Sequence, residues 1–313
     1  MRNSPQHLAE QAQARGVRHE VEIDGVATRY WVYPAESVPS VLAETPTLVM
    51  VHGFRGNHRG LEAIAGALND FDVVIPDLPG FGESSAFAGE HSVAAYADWL
   101  GKFWRALNLE GRGHLLGHSF GSIVVAHAVA KGLPTRTLTV ENPVSAPALK
   151  GPKVIQTKIA NGFYAATERM PLRQAERALK SWPMVRGMSI IMAKTRDPQL
   201  RRWIHKQHDE NFSDFATRRV VQEAYRASTS ECVGQWAPDF AMPTLVITGT
   251  KDDITSPKQQ HRMFASLRVP SRLCEHDGVG HLTHYEIPAE VANDIRLFLA
   301  GLEQKTLVAG NGS

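Results

Sequence analysis

A serine flanked by glycines, where a predicted strand meets a predicted helix, is the first feature of the chain that indicates chemistry. Residues 113–122 read GHLLGHSFGS, and the apolar residues on both sides are typical of a buried strand and a buried helix. A Gly-x-Ser-x-Gly turn at such a junction holds the serine hydroxyl at the edge of the sheet. Gly117 and Gly121 leave room for neighbouring elements, and the new helix directs its first N–H groups to where negative charge would develop. Ser119 is therefore the candidate nucleophile.

An activated serine needs a base that accepts its proton and an acid that orients the base. His281 is the candidate base because it follows the glycine-rich loop 277–280 and precedes a helix predicted to begin near Pro288. From such a loop the imidazole can reach back across the strand ends. The chain has 14 histidines, and His276 and His284 are the nearby alternatives.

The acid is expected in a loop at the end of another strand. The apolar run 244–247 is followed by Asp252 and Asp253. We favour Asp252 as the acid and keep Asp253 as its alternative. Glu141 or Asn142, after a different predicted strand, is a more distant candidate.

Short apolar runs that alternate with helical patterns must position these side chains. The runs, which are typical of strands covered on both faces, lie at 47–51, 73–75, 114–116, 138–140 and 244–247. The helical patterns lie at about 59–69, 91–108, 121–131, 257–268 and 288–304. This alternation predicts an α/β fold with a mostly parallel central sheet and helices on both faces. A hairpin is expected within 21–33, around Asp24 and Gly25.

One long segment, residues 143–238, shows only helical patterns. We interpret it as a helical insertion, or cap, over the carboxyl ends of the strands, where open α/β sheets bind ligands. The core domain would then comprise 1–142 and 239–313. The insertion carries 16 Lys and Arg against 8 Asp and Glu. This charge would attract an anionic substrate or an acidic membrane surface, although a solvated basic helix surface is the simpler interpretation.

Composition limits the partners of the protein. With 43% hydrophobic and 21% charged residues the chain has the composition of a soluble globular protein. A formal net charge of +2, without a basic run interleaved with aromatic residues, argues against nucleic acid. The polar first ten residues predict neither a signal peptide nor an integral membrane segment, and hence a cytoplasmic protein. Cys232 and Cys274 lack metal-type spacing and are expected to be reduced; the oligomeric state is left open.

Five motifs together resemble the α/β-hydrolase superfamily along nearly all of the chain outside the insertion. They are VHGFRG at 51–56, DLPGFGES at 77–84, the turn at Ser119, GTKD at 249–252, and Gly280-His281 followed by Glu286 and Pro288. The chain order Ser119, Asp252, His281 is also the order of that family.

The resemblance implies an α/β-hydrolase fold with a cap inserted after the sixth strand. It also implies an oxyanion hole formed by the backbone N–H groups of Phe54 and Phe120. Epoxide hydrolases and haloalkane dehalogenases of this fold carry an aspartate where this chain has Ser119, so neither activity is expected.

The leading hypothesis is a serine hydrolase that cleaves a carboxylic ester or thioester through an acyl-enzyme, without a metal or an organic cofactor. The expected partner is a small-molecule acyl ester or thioester, with an anionic group as one option. An acyltransferase that uses the same residues is one alternative. A ligand-binding or receptor protein on a hydrolase scaffold, with little turnover, is the other.

Apolar side chains of the insertion could line an acyl pocket, although each is more readily explained as packing within a helical layer. They are Phe163, Tyr164, Met170, Trp182, Met184, Met188, Met192 and Trp203. Arg55 stands where many relatives have a small residue. We interpret it as a surface arginine, with contact to a substrate carboxylate or phosphate as the alternative.

Overall fold

The computed structural model describes residues 4–36, 45–147 and 154–310. Eight strands form one sheet in the order β1-β2-β4-β3-β5-β6-β7-β8. The strands are β1 Val17–Ile23, β2 Val26–Tyr33, β3 Thr47–Val51, β4 Asp72–Pro76, β5 His114–His118, β6 Leu138–Glu141, β7 Thr244–Gly249 and β8 Ser271–His276. The β1–β2 and β2–β4 pairs are antiparallel, and the other neighbouring pairs are parallel. The prediction of a mostly parallel sheet is confirmed.

Helices connect the strands. In the described residues they are α1 Pro5–Arg15, α2 Glu62–Ala67, α3 Val93–Ala106, α4 Phe120–Ala130, α5 Val154–Arg169, α6 Leu172–Leu179, α7 Trp182–Met192, α8 Pro198–Asn211, α9 Arg218–Ser230, α10 Pro257–Phe264, α11 Thr283–Glu286 and α12 Pro288–Gly310. Among these residues, none of the helices is both long enough and apolar enough to cross a membrane.

Two apolar layers, one on each face of the sheet, bury the strands. Successive side chains of a strand point to opposite faces. Accordingly Leu48 and Met50 of β3 pack in a cluster with residues of α2 and α12. Val49 and Val51 pack with residues of α3 and α4. The prediction of helices on both faces is therefore confirmed.

The helices α5 to α9 all lie between β6 and β7 in the chain. This is the segment that the sequence interprets as an insertion, 143–238, of which residues 148–153 lie outside the described ranges. Phe215, between α8 and α9, forms an isolated β-bridge with Phe81 of the core. The division of the chain into a core domain and a cap stays a prediction.

The sequence patterns predict no range for α1, α11 or β8, because none of them shows a strong apolar pattern. α1 begins with Pro5, and the side chain of Ser4 accepts the N–H of His7. It buries only Leu8, Ala9 and Ala12, and its backbone lies against Gly66 of α2, where a Cβ atom would come within 1.8 Å of the Leu8 oxygen. β8 is an edge strand with mostly exposed or half-buried side chains.

Candidate active site

The turn that carries Ser119 joins β5 to α4 in an unusual backbone conformation. Ser119 has φ 51° and ψ −118°, which residues other than glycine rarely adopt. A Cβ atom on Gly117 would lie 2.5 Å from the carbonyl oxygen of Gly121, and one on Gly121 would lie 2.3 Å from that of Val51. Both glycines are therefore required for the close approach of α4 to β5 and β3.

A continuous chain of hydrogen bonds links Ser119 to His281 and Asp252. Ser119 Oγ lies 2.7 Å from His281 Nε2, and His281 Nδ1 lies 2.8 Å from Asp252 Oδ2. The three residues follow β5, β8 and β7 respectively, so the carboxyl ends of parallel strands deliver them to one place. His281 and Asp252 are 4% and 5% exposed. In this arrangement His281 can accept a proton from Ser119 while Asp252 holds the imidazole in one tautomer.

The Asp252 carboxylate receives hydrogen bonds on both oxygens. Its Oδ1 accepts the N–H of Ile254 at 2.7 Å and that of Thr255 at 3.3 Å, and its Oδ2 also accepts Nδ2 of Asn142 at 3.0 Å. Burial by itself would lower the pKa of His281, but the Asp252 carboxylate, together with the charges of Glu141 and Asp253, outweighs it, so the pKa of His281 is raised. The imidazole is thus a stronger base than a free histidine.

The alternative acid and base are engaged elsewhere. Asp253 forms an ion pair with Lys194 of the insertion. His276 Nε2 lies 2.8 Å from Asp294 Oδ2 on α12. It is Asp252, and not Asp253, that lies at hydrogen-bonding distance from His281 Nδ1, and it is His281, and not His276, that lies at this distance from Ser119 Oγ.

A second buried cluster, formed by His118, Glu141 and His284, lies beside this chain. His118 Nδ1 lies 2.9 Å from Glu141 Oε2, and His284 Nδ1 lies 3.7 Å from Glu141 Oε1. Burial would raise the pKa of Glu141, but His118 and His284 hold it well below its ordinary value. Burial, reinforced by His118, lowers the pKa of His284 to about 4. The cluster therefore holds an ionised carboxylate next to a neutral His284 at neutral pH.

Among the described residues, these three side chains also have ligand atoms close enough to hold a metal, within 4.8 Å of one another. The Glu141 carboxylate, however, already faces His118 and accepts a hydrogen bond from the Thr283 hydroxyl. The backbone N–H of Ser119 donates to the carbonyl oxygen of Glu141 at 3.1 Å, and His118 directly precedes Ser119, so the cluster supports the turn. The sequence analysis missed this role of His118, although the parallel register that pairs His118 with Glu141 follows from neighbouring strands that end at the same edge.

Phe54 and Phe120 both line the cavity in front of Ser119. Phe120 is the first residue of α4. The loop that carries Phe54 approaches Ser119 closely, since a Cβ atom on Gly53 would lie 3.1 Å from the Ser119 Cβ. Their backbone N–H groups stay the predicted oxyanion donors.

The cavity has a volume of about 340 Å³ and largely apolar walls. Of the eight apolar side chains predicted for an acyl pocket, Tyr164, Met188 and Met192 line it. Trp182 is instead 60% exposed, and Trp203 lines a separate polar groove between α1 and α8. Side chains that the sequence analysis did not select complete the walls, among them Ile191, Phe212, Tyr225, Ile254 and Leu282.

Arg55 is not a surface residue, and this expectation was wrong. Its side chain is fully buried, and its φ is 63°. Its Nε donates to the carbonyl oxygen of Phe212 at 2.9 Å, and its Nη2 donates to that of Leu179 at 2.7 Å. The guanidinium also lies 5.1 Å from the ring centre of Phe215. Arg55 therefore fastens the insertion to the loop that carries Phe54.

Comparison with known proteins agrees with this architecture. Residues 48–294 match the model of the alpha/beta hydrolase family. "Lipase 3" of Moraxella sp. (strain TA144) is 25% identical over 261 residues, which cover 82% of this chain and 78% of that protein.

Solved structures share the fold. A membrane phospholipase A, described as a bacterial virulence factor, superposes with a TM-score of 0.72 at 20% identity over 96% of this chain and 92% of that one. A thermophilic esterase from Thermogutta terrifontis superposes with a TM-score of 0.70 at 22% identity over 90% of this chain and 98% of that one.

Proposed function

Because this chain belongs to the α/β hydrolase family, we propose that it is a serine hydrolase that cleaves carboxylic esters through an acyl-enzyme. The observation that carries the proposal is the hydrogen-bonded chain from Ser119 through His281 to Asp252 at the wall of an apolar cavity. A base and an orienting acid at hydrogen-bonding distance are what activates a serine hydroxyl.

The reaction has two halves. His281 Nε2 takes the Ser119 proton as Oγ attacks the ester carbonyl, and the proton then passes to the leaving alcohol. The N–H groups of Phe54 and Phe120 stabilise the negative oxygen, and Asp252 stabilises the imidazolium. Water, activated by His281, then releases the acid and restores Ser119.

The walls of the cavity favour an apolar acyl group. Tyr164, Tyr225 and Met188 present apolar surface beside Ser119, and the volume of about 340 Å³ is at the lower end for small-molecule sites. An ester or thioester with a short to medium acyl chain fits these limits. The names of the relatives, a lipase and an esterase, point to the same bond type.

A fluorophosphonate probe tests the proposal directly. We expect one covalent adduct in the intact mass of the parent and none in Ser119→Ala. Ser189→Ala is the matched control, because Ser189 is also buried and its Oγ lies 2.6 Å from His205 Nδ1, yet it lies on α7 away from the strained turn. This control should keep the adduct.

Turnover of p-nitrophenyl esters of increasing acyl length is then measured on the same proteins. We expect activity that is lost in Ser119→Ala, retained in Ser189→Ala and highest for acyl chains that fit the cavity. A folded parent that forms no adduct and cleaves no ester or thioester would refute the proposal.

A further inference from the structure

Asn142 directly follows β6, and its backbone has a conformation that few types of residue adopt. It is fully buried and has a φ of 42°, a region in which asparagine is one of the residues enriched. Its backbone N–H donates to the carbonyl oxygen of Ile247 at 2.8 Å. The residue is thereby tied to β7, the strand that leads to Asp252.

The side-chain amide of Asn142 connects the two loops that carry the acid and the base. Its Nδ2 lies 3.0 Å from Asp252 Oδ2 and 3.2 Å from the carbonyl oxygen of Gly280, which precedes His281. Both partners are acceptors, so the NH₂ group must face them, because a flipped amide would place its oxygen against two oxygens. Its Oδ1 approaches the Thr283 hydroxyl.

The carboxylate oxygen that Asn142 contacts is the one that faces His281. Asp252 Oδ2 thus has a donor from Asn142 at 3.0 Å and His281 Nδ1 at 2.8 Å. The amide donor offsets part of the negative charge that acts on the imidazole, and it fixes the carboxylate in the plane that the imidazole needs.

We propose that Asn142 is a positioning residue that sets the geometry and the proton affinity of the Asp252–His281 pair. The proposal rests on the proposed function of Ser119, His281 and Asp252. Asn142 is not among the residues that line the cavity in front of Ser119. Glu141, its neighbour on β6, belongs to the cluster with His118 and acts on His281 through its negative charge.

Removing the amide should make His281 more basic. Without the Asn142 donor, the full charge of the Asp252 carboxylate acts on the imidazole, so the pKa of His281 rises. Because only the neutral imidazole can accept the Ser119 proton, the acid limb of kcat/KM moves to higher pH. Loss of the fixed geometry should also lower kcat by about tenfold to a hundredfold, the range found when hydrogen-bond partners that orient the ligands of a metal are replaced.

The experiment uses Asn142→Gly and Asn142→Asp in the full chain. Glycine accepts the positive φ and removes the amide, whereas aspartate keeps the shape and adds a carboxyl group beside Asp252. Gln260→Glu is the matched control, because Gln260 is also fully buried and its Nε2 donates to the carbonyl oxygen of Pro143 at 2.9 Å. The pKa of His281 is measured by NMR on protein with ¹³C-labelled histidine, with the resonance assigned by His281→Gln.

We expect a raised His281 pKa in Asn142→Gly and an unchanged one in Gln260→Glu. In Asn142→Asp the two neighbouring carboxyl groups cannot both ionise, so the proton that they share restores a donor to Asp252 and the pKa of His281 should stay near that of the parent. For Asn142→Gly, rates divided by the concentration of serine that the fluorophosphonate probe labels should show the same shift in the acid limb of kcat/KM. KM should change little. A His281 pKa and a pH profile that match the parent in folded Asn142→Gly would overturn the inference while leaving the proposed function intact. A parent that neither labels nor hydrolyses, but whose His281 pKa responds to Asn142, would refute the proposed function and not the coupling.

Discussion

Arg55 and Lys194 both join the insertion to the core, but they do so in opposite ways. Arg55 comes from the core and reaches into the insertion, where its acceptors are the main-chain carbonyl oxygens of Phe212 and Leu179. Lys194 comes from the insertion and reaches out to the carboxylate of Asp253. Arg55 is fully buried, whereas the side chain of Lys194 is 23% exposed.

We call the side of the insertion that Arg55 holds its fixed edge and the side that Lys194 holds its adjustable edge. Hydrogen bonds to buried carbonyl groups respond little to salt or pH, because their acceptors do not titrate. A partly exposed ion pair weakens when salt screens it. The fixed edge adjoins Phe54, the predicted oxyanion donor, and the adjustable edge adjoins Asp252.

The strongest test of the comparison is Arg55→Ala. The variant leaves buried carbonyl groups without donors and removes a large side chain, so we expect a loss of about 3 kcal/mol or more in the free energy of unfolding. Urea denaturation at low and high salt measures it, and the loss should be the same at both. A loss below about 1 kcal/mol would show that the edge is not fixed by Arg55.

Comparison of Arg55→Gly with Arg55→Ala separates the stability lost with the side chain from the strain of the backbone conformation. Glycine adopts the φ of 63° without the strain that alanine has there, so Arg55→Gly should be more stable than Arg55→Ala by about 1 kcal/mol. The same denaturation series measures the difference. Equal stabilities would mean that the backbone relaxes when the guanidinium is removed.

Lys194→Met should have a smaller effect that depends on salt. Methionine keeps much of the aliphatic stem that packs against Gly280 and removes the charge, so we expect a loss of about 1 kcal/mol at low salt and less in 1 M NaCl. Lys206→Met is the control, because the Lys206–Glu210 pair is exposed and lies within α8. A salt-independent loss in Lys194→Met would contradict an adjustable edge.

The smallest expected effect is the pH response of Glu286. Its Oε1 accepts the N–H groups of Lys194 and Thr195 at 2.6 and 3.1 Å, and burial raises its pKa. A raised carboxyl pKa in the folded state contributes stability below the ordinary glutamate pKa that is lost as pH rises through the folded value. Glu286→Gln should flatten this decline in Tm between pH 4 and 7 (about the range in which such groups titrate). An unchanged slope would assign the decline to other groups.

Much of the fold could be predicted because buried parallel strands have a strong signature. The runs at 47–51 and 244–247 are apolar without alternation, and both form interior strands of the sheet. α1 and β8 were missed because each buries few side chains, so their patterns resemble those of surface segments.

Part of the candidate site could also be predicted from the sequence, because the turn at Ser119 depends on neighbouring residues. The turn at Ser119 requires glycines at fixed spacing, and that requirement is local. The burial of Arg55 could not be predicted from neighbouring residues, because its partners lie 124 and 157 residues away in the sequence. The same holds for Asn142, whose link to Asp252 spans 110 residues. The predicted cytoplasmic location and the oxyanion donors stay predictions.

The order of the strands determines when during synthesis the candidate site can exist. After β4, each new strand, β5, β6, β7 and then β8, adds to the same growing edge of the sheet, beginning beside β3. Ser119 is therefore in place long before its base, which lies 162 residues further along the chain. Because domains begin to fold from the N-terminus as they leave the ribosome, a nascent chain carries the nucleophile without His281 until translation has passed residue 281. Any fragment that ends before His281 is expected to be chemically silent.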